Sequence, residues 1–138
     1  MTLALARLLI DFGFLILIWA VQLVIYPCFQ YYSKENLLIW HQKYTIRVTF
    51  IVFPLITLQF LLASLQLWQF QNWYTILSML VIVVLWLLTF LIFVPLHQSI
   101  DNNIPVDNVC HKLVQKNWMR TVLWSLLFMI SLVHFSFY

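Results

Sequence analysis

Four long runs of apolar residues, separated by polar stretches, dominate the chain. A helix needs about 20 mostly apolar residues to cross the hydrocarbon core of a bilayer. The runs predict four transmembrane helices, over about residues 3–25, 45–68, 73–94 and 118–137. We expect the first to stop at Pro27 and the third at Pro95, because proline lacks the amide hydrogen that a continuing helix needs. The pattern thus predicts a single domain, an all-α integral membrane bundle of four helices in up-down-up-down order.

The polar stretches predict helical extensions beyond the apolar runs. Ser33 is a favourable N-cap, and no proline follows it before Pro54. The second helix should therefore begin near Lys34 and project from the bilayer. Asp107 predicts a similar cap and extension for the fourth helix, whereas residues 101–103 predict a plain loop.

Basic residues are concentrated on one side of the predicted bundle. Six of the seven Lys and Arg lie in or beside the connections between helices one and two and between helices three and four; Arg7 lies on the other side. The positive-inside rule then places both connections in the cytoplasm and both termini outside. Helices two and four would extend into the cytoplasm. A helical protein with this bias is expected in the bacterial inner membrane, as a multi-pass protein, because outer-membrane proteins are mostly barrels.

The composition excludes several classes of protein. Hydrophobic residues make up 64% of the chain and charged residues 8%, whereas soluble domains carry about 25% charged residues. The net charge of +3 comes from residues at membrane edges, so it does not indicate a nucleic-acid partner. The cysteine and histidine spacings are not those of a disulfide scaffold or a metal site, so no metal is predicted. Membrane lipids are the expected surroundings.

Polar side chains recur at helical spacing near the predicted inner end of three helices. Residues three or four apart lie on one helix face, so each set can point into the bundle. The expected ligand-binding cluster comprises His41, Tyr44, Arg47, His97, Asn117 and Arg120. Such groups can hold an anionic or carbonyl-bearing headgroup of a lipid, a quinone or haem. The alternative is that the arginines are ordinary interfacial anchors.

Two further pairs of side chains suggest chemistry. His41 and His97 belong to different helices, as in bis-histidine ligation of haem. Near the outer end, Asp11 follows Arg7 by four residues, which predicts an ion pair that lowers the free-energy cost of burial. The alternative pairs Asp11 with His134, at a comparable depth on the fourth helix, as a carboxylate–imidazole site.

Three glutamines lie inside the apolar runs: Gln22, Gln59 and Gln66. An amide is unfavourable in hydrocarbon unless it is hydrogen-bonded. We therefore expect all three to form hydrogen bonds between helices.

Several short motifs resemble a group of small bacterial four-helix membrane proteins. They are Tyr26-Pro27, the His41-x-x-Tyr44 spacing, Val94-Pro95-Leu96-His97 and Asn117-Trp118-Met119-Arg120-Thr121. More distantly, the layout resembles the anthrone-oxygenase-like domains, which are also four-helix membrane proteins. The resemblance implies that fold and marks His41, Tyr44, His97, Asn117 and Arg120, but it does not imply a particular reaction.

The leading hypothesis is therefore a site at the cytoplasmic interface that binds an amphipathic ligand or cofactor. The second is a non-catalytic subunit or assembly factor of a larger membrane complex, because an 18% content of aromatic residues offers surface to other subunits or to a second copy. No paired acid and base is evident, so the sequence leaves open whether the protein is an enzyme.

Overall fold

The computed structural model describes residues 2–137, which form four long helices joined by short connections. The helices are α1 (Leu3–Tyr31), α2 (Lys34–Gln69), α3 (Trp73–Asp101) and α4 (Val109–Phe137). Each is long and apolar enough to cross a membrane, and residues 2–137 contain no strand. The prediction of an all-helical bundle with four membrane-spanning segments is confirmed at this level.

The helices form a closed ring around a narrow core. Helix α1 packs against α2 and α4, and α3 packs against the same two helices. Inward-facing residues such as Ile82, Leu113 and Leu127 are fully buried, whereas Phe50 and Leu91 on outer faces are 77% and 70% exposed. So much exposed apolar surface is unusual for a protein in water. Contact of this apolar surface with lipid tails would not have the unfavourable free energy that its exposure to water has.

Helices α1 and α3 each contain a π-helical turn just before a proline. The turns are Val21–Ile25 and Thr89–Phe93. The ring of Pro27 or Pro95 would clash with the carbonyl four residues earlier in a regular helix. That carbonyl lies in the wider π turn, so both helices continue. The prediction that they stop at these prolines is wrong.

The start of α2 agrees with the prediction from the sequence, whereas the start of α4 does not. Ser33 caps α2, its hydroxyl accepting a hydrogen bond from the backbone of Asn36 at 3.2 Å, which confirms that prediction. Helix α4 begins at Val109, directly after Asn108, whose φ is 53°. Asp107 is therefore not its cap as predicted. Asparagine adopts this left-handed conformation more readily than most residues. Asn108 is therefore the last residue of the connection between α3 and α4, directly before the helix begins.

Candidate functional site

Buried polar side chains form two networks, one near each end of the bundle. We call the end where α1 and α3 finish the histidine end, because it contains His41 and His97. The opposite end, which contains Asp11, is the aspartate end. His41 and Asp11 are both fully buried, so each network lies inside the ring of helices.

Four side chains form a continuous hydrogen-bonded chain at the histidine end. His41 Nδ1 lies 2.7 Å from Asp101 Oδ1, and His41 Nε2 lies 2.8 Å from His97 Nδ1. On its other side, His97 Nε2 lies 2.8 Å from the hydroxyl of Tyr26. The side chain of Asp101 is 20% exposed, whereas that of His41 is fully buried. The chain therefore connects the surface of the protein with its interior.

The hydroxyl of Tyr26 joins this chain to Arg120. Arg120 Nη2 donates a hydrogen bond to that hydroxyl at 2.9 Å. The guanidinium also donates twice to Asn117 Oδ1, from Nε at 2.9 Å and from Nη2 at 2.7 Å. Its central carbon lies 3.6 Å from the centroid of the Phe93 ring, a cation–π contact that is strongest where water is excluded. Three neutral side chains thus fix the position of the cation.

Gln22, in the π turn of α1, holds Asn117 in place. Asn117 Nδ2 and the hydroxyl of Thr121 both donate to Gln22 Oε1, at 2.9 and 3.0 Å. Gln22 Nε2 donates to the backbone carbonyl of Val114 at 3.1 Å. The predicted interhelical hydrogen bonding of Gln22 is confirmed, and it orients the amide that receives Arg120.

Arg120 is a buried cation without a counterion among the residues that the structure describes. It is 8% exposed, and the ion pairs within 4.0 Å in residues 2–137 join Arg7 to Asp11 and His41 to Asp101. Its Nη1 donates no hydrogen bond to any of these residues. Burial of an unpaired charge is unfavourable. The site therefore favours an additional electron-rich group beside Arg120.

A cavity of about 300 Å³ lies between the four helices, and Arg120 forms part of its wall. Its polar lining at the histidine end includes Tyr26, Tyr44, His97 and Arg120. Further from this end the lining is mostly apolar and includes Phe14, Ile56 and Trp124. Two other lining residues, Phe53 on α2 and Phe90 on α3, are 58% and 47% exposed. The cavity therefore opens between α2 and α3, on the apolar outer surface of the bundle.

The structure brings five of the six predicted cluster residues together. His41, His97, Asn117 and Arg120 belong to one hydrogen-bonded network. Tyr44 packs beside it, with its ring centroid 6.1 Å from that of His97, and its hydroxyl has no hydrogen-bond partner in the described part of the chain. Arg47 does not join them, since the structure leaves it exposed.

Two central members of the network were not among the predicted site residues. Asp101 ends α3, so the prediction of a loop at 101–103 is wrong at its first residue. A signal existed, because Asp101 follows His97 by four residues and would share its helix face. Tyr26 carried a weaker signal, as part of the Tyr-Pro motif.

The two histidines do not fit bis-histidine ligation of haem. A metal–imidazole bond is about 2.0 Å long, so an ion shared by the pair would hold its nitrogens about 4 Å apart. The facing nitrogens lie 2.8 Å apart, and the rings stack with centroids 5.0 Å apart, which leaves no gap for a porphyrin. The other nitrogens contact Asp101 and Tyr26. Within residues 2–137 no group of three or more His, Cys, Asp or Glu side chains is arranged to hold a metal.

The aspartate end contains a compact network around an ion pair. Arg7 Nη2 donates to Asp11 Oδ2 at 3.1 Å, which confirms the predicted pairing. Asp11 also accepts hydrogen bonds from Gln59 at 2.6 Å and Ser131 at 2.5 Å. Arg7 Nη1 donates to Gln66 at 3.0 Å. The interhelical hydrogen bonds predicted for both glutamines are thus present, and they connect α1, α2 and α4.

Ser131 and Tyr74 connect Asp11 with His134, the alternative pair predicted at this end. The hydroxyls of Ser131 and Tyr74 lie 3.1 Å apart, and Ser131 contacts Asp11. The ring of Tyr74 stacks on that of His134, with centroids 4.0 Å apart and planes 7° from parallel. Tyr74 therefore adds α3 to the network, so that polar side chains at this end connect all four helices.

No protein-family model, curated protein or solved structure matches this chain. The resemblance to the anthrone-oxygenase-like domains therefore stays a prediction, and function is argued from the geometry of the two networks and the cavity.

Proposed function

We propose that the protein binds an amphipathic molecule in the cavity. The headgroup lies at the histidine end, and the tail lies among the apolar lining and leaves between α2 and α3. The observation that carries this proposal is Arg120, a buried cation with no carboxylate within 4.0 Å among the described residues, in the wall of a mostly apolar cavity.

The headgroup is one that offers oxygen atoms to donors. Arg120 and Tyr44 both line the cavity, and neither Arg120 Nη1 nor the hydroxyl of Tyr44 has a hydrogen-bond partner in residues 2–137. A carbonyl oxygen or an oxyanion would accept from both, and hydrogen bonds to a charged donor are the stronger ones. A volume of about 300 Å³ lies at the small end of ligand pockets. It suits a single ring with oxygen substituents, such as a quinone, better than the headgroup and two chains of a phospholipid.

The membrane orientation supports access to this site from lipid. We propose that the histidine end faces the cytoplasm and both termini lie outside, in a bacterial inner membrane. The excess of basic residues at the histidine end, six against Arg7 alone, supports this orientation. The opening between α2 and α3 would then lie at the inner leaflet, where a membrane-soluble ligand can enter sideways.

Binding can be tested with a short-chain alkyl benzoquinone and protein in lipid nanodiscs. Trp124 lines the cavity, so a bound quinone should quench its fluorescence in a saturable way. A hydrogen bond to a charged group contributes about 1.5–3 kcal/mol, so Arg120→Gln should raise Kd about 10- to 100-fold. Mass spectrometry of the gently purified protein would identify any amphiphile that accompanies it.

The matched control is Arg47→Gln, which removes an exposed arginine from the same end of the bundle. It should leave Kd unchanged. Equal quenching curves for wild type and Arg120→Gln, with both proteins folded by circular dichroism, would refute the proposal.

A further inference from the structure

The hydrogen-bonded chain at the histidine end has a defined direction. Arginine can only donate hydrogen bonds, so the oxygen of Tyr26 accepts from Arg120 and its own hydrogen points to His97 Nε2. At the other end an ionised Asp101 can only accept, so the hydrogen of His41 is on Nδ1. A neutral imidazole carries one hydrogen. His41 Nε2 therefore accepts from His97 Nδ1, and every bond donates toward Asp101.

We infer that this chain removes a proton from an aromatic hydroxyl on the bound headgroup and delivers it to the surface through Asp101. The inference rests on the proposed binding of an amphipathic ligand and specifies its class, a phenol- or quinol-type ring with a tail. Tyr26 lines the cavity and its hydroxyl is hydrogen-bonded to Arg120, which places it beside a headgroup bound at that cation. Each successive transfer spans 2.7–2.8 Å, the distance of a strong hydrogen bond.

The transfer balances without any change in oxidation state. The O–H bond of the ligand breaks and its proton binds the oxygen of Tyr26, whose own proton passes to His97 Nε2. The proton on His97 Nδ1 passes to His41 Nε2, and the proton on His41 Nδ1 passes to the carboxylate of Asp101. One proton has then moved from the ligand to a carboxyl that is 20% exposed and can exchange it with water. The reverse shift restores the original arrangement when the headgroup regains its proton.

The charges around the cavity favour the ionised ligand. The titratable and charged groups that line its polar end are Tyr26 on α1, Tyr44 on α2, His97 on α3 and Arg120 on α4. His41 does not line the cavity but is hydrogen-bonded to His97. The carboxylate of Asp101 is one imidazole further away, beyond His41. Loss of the proton turns Arg120 from an unpaired buried cation into one member of an ion pair. That change offsets part of the unfavourable burial of its charge.

A 2-hydroxy-1,4-naphthoquinone with an alkyl tail is a suitable probe, because its visible absorbance reports ionisation of the hydroxyl. Wild-type protein in nanodiscs, in molar excess over the probe, is mixed from acidic into neutral buffer in a stopped-flow instrument. Asp101→Asn keeps the size of the side chain but cannot take the proton as a carboxylate does. This variant should slow the colour change at least about tenfold, which is less than the rate increase that a positioned proton acceptor usually contributes. The Kd of the probe should be unchanged. The wild-type reaction should also slow in D₂O.

Asp107→Asn is the matched control, since Asp107 is an exposed carboxylate near the same end. It should behave as wild type. If Asp101→Asn ionises the bound probe at the wild-type rate, the relay is refuted while ligand binding stands. If the wild-type protein does not bind the probe, the relay is refuted as stated; if it does not bind the alkyl benzoquinone either, the proposed function fails as well. His97→Gln provides a second interruption of the chain; a wild-type rate in that variant would also refute the relay.

Discussion

His41 and His97 are hydrogen-bonded directly to each other, with His41 Nε2 and His97 Nδ1 2.8 Å apart. The rings are nearly parallel, with centroids 5.0 Å apart and planes inclined by 23°. Each imidazole thus satisfies one nitrogen of the other inside the bundle. Because the outer nitrogens contact Asp101 and Tyr26, the pair acts as a hydrogen-bonded bridge between α1, α2 and α3.

We expect His97→Ala to destabilise the protein by about 2–6 kcal/mol, because two buried polar groups are left unsatisfied at a free-energy cost of about 1–3 kcal/mol each. These groups are His41 Nε2 and the hydroxyl hydrogen of Tyr26, whereas His41 Nδ1 keeps Asp101. Unfolding in a graded series of SDS and mild detergent, followed by circular dichroism, would measure the change. His111→Ala, at an exposed histidine, should differ from wild type by less than about 0.5 kcal/mol.

At the aspartate end, we expect Asp11→Leu to cost about 3–5 kcal/mol, because it leaves the guanidinium of Arg7 buried without its partner. Both side chains are fully buried. The double variant Arg7→Met with Asp11→Leu should recover part of the lost stability, since it removes both charges and fills similar volume. Recovery is incomplete because Gln59, Gln66 and Ser131 lose a hydrogen-bond partner. The same SDS unfolding assay applies. A double variant no more stable than Asp11→Leu would show that the ion pair is not the source of the effect.

Filling the cavity should abolish binding without unfolding the protein. Val52 lines the cavity and is half-buried, so Val52→Phe adds a ring where the tail of the ligand would lie. The quinone should then no longer quench Trp124, while the unfolding midpoint stays at or above the wild-type value, since the added ring fills existing space. Val122→Phe, at a position 61% exposed on α4, should bind the quinone as wild type does.

The proposed orientation can be tested by labelling single cysteines. In a background with Cys28→Ala and Cys110→Ala, Gln71→Cys marks the α2–α3 connection and Asn102→Cys marks the α3–α4 connection. Both positions are exposed. In intact cells a membrane-impermeant maleimide should label position 71 and not position 102, because the basic connection stays inside. The reverse labelling pattern would invert the orientation.

The sequence determined the number and character of the helices. Each apolar run exceeds the length that a bilayer requires, and that property depends on the local composition alone. The cap at Ser33 and the pairing of Arg7 with Asp11 were also predictable, because both rest on spacings within one helix. The same reasoning placed His41 and Tyr44 near each other, since residues three apart share a helix face.

The tertiary structure decided what each polar group meets. Proline signalled a helix end, but the π turns before Pro27 and Pro95 carry α1 and α3 onward, and this brings Tyr26 and Asp101 to the network. Spacing alone placed Arg47 on the same helix face as His41, yet Arg47 is exposed and His41 is fully buried. The physical reason is that a helix has several faces and the packing of neighbouring helices selects which one is buried. The cavity beside Arg120 depends on all four helices, so no single segment of the chain could reveal it.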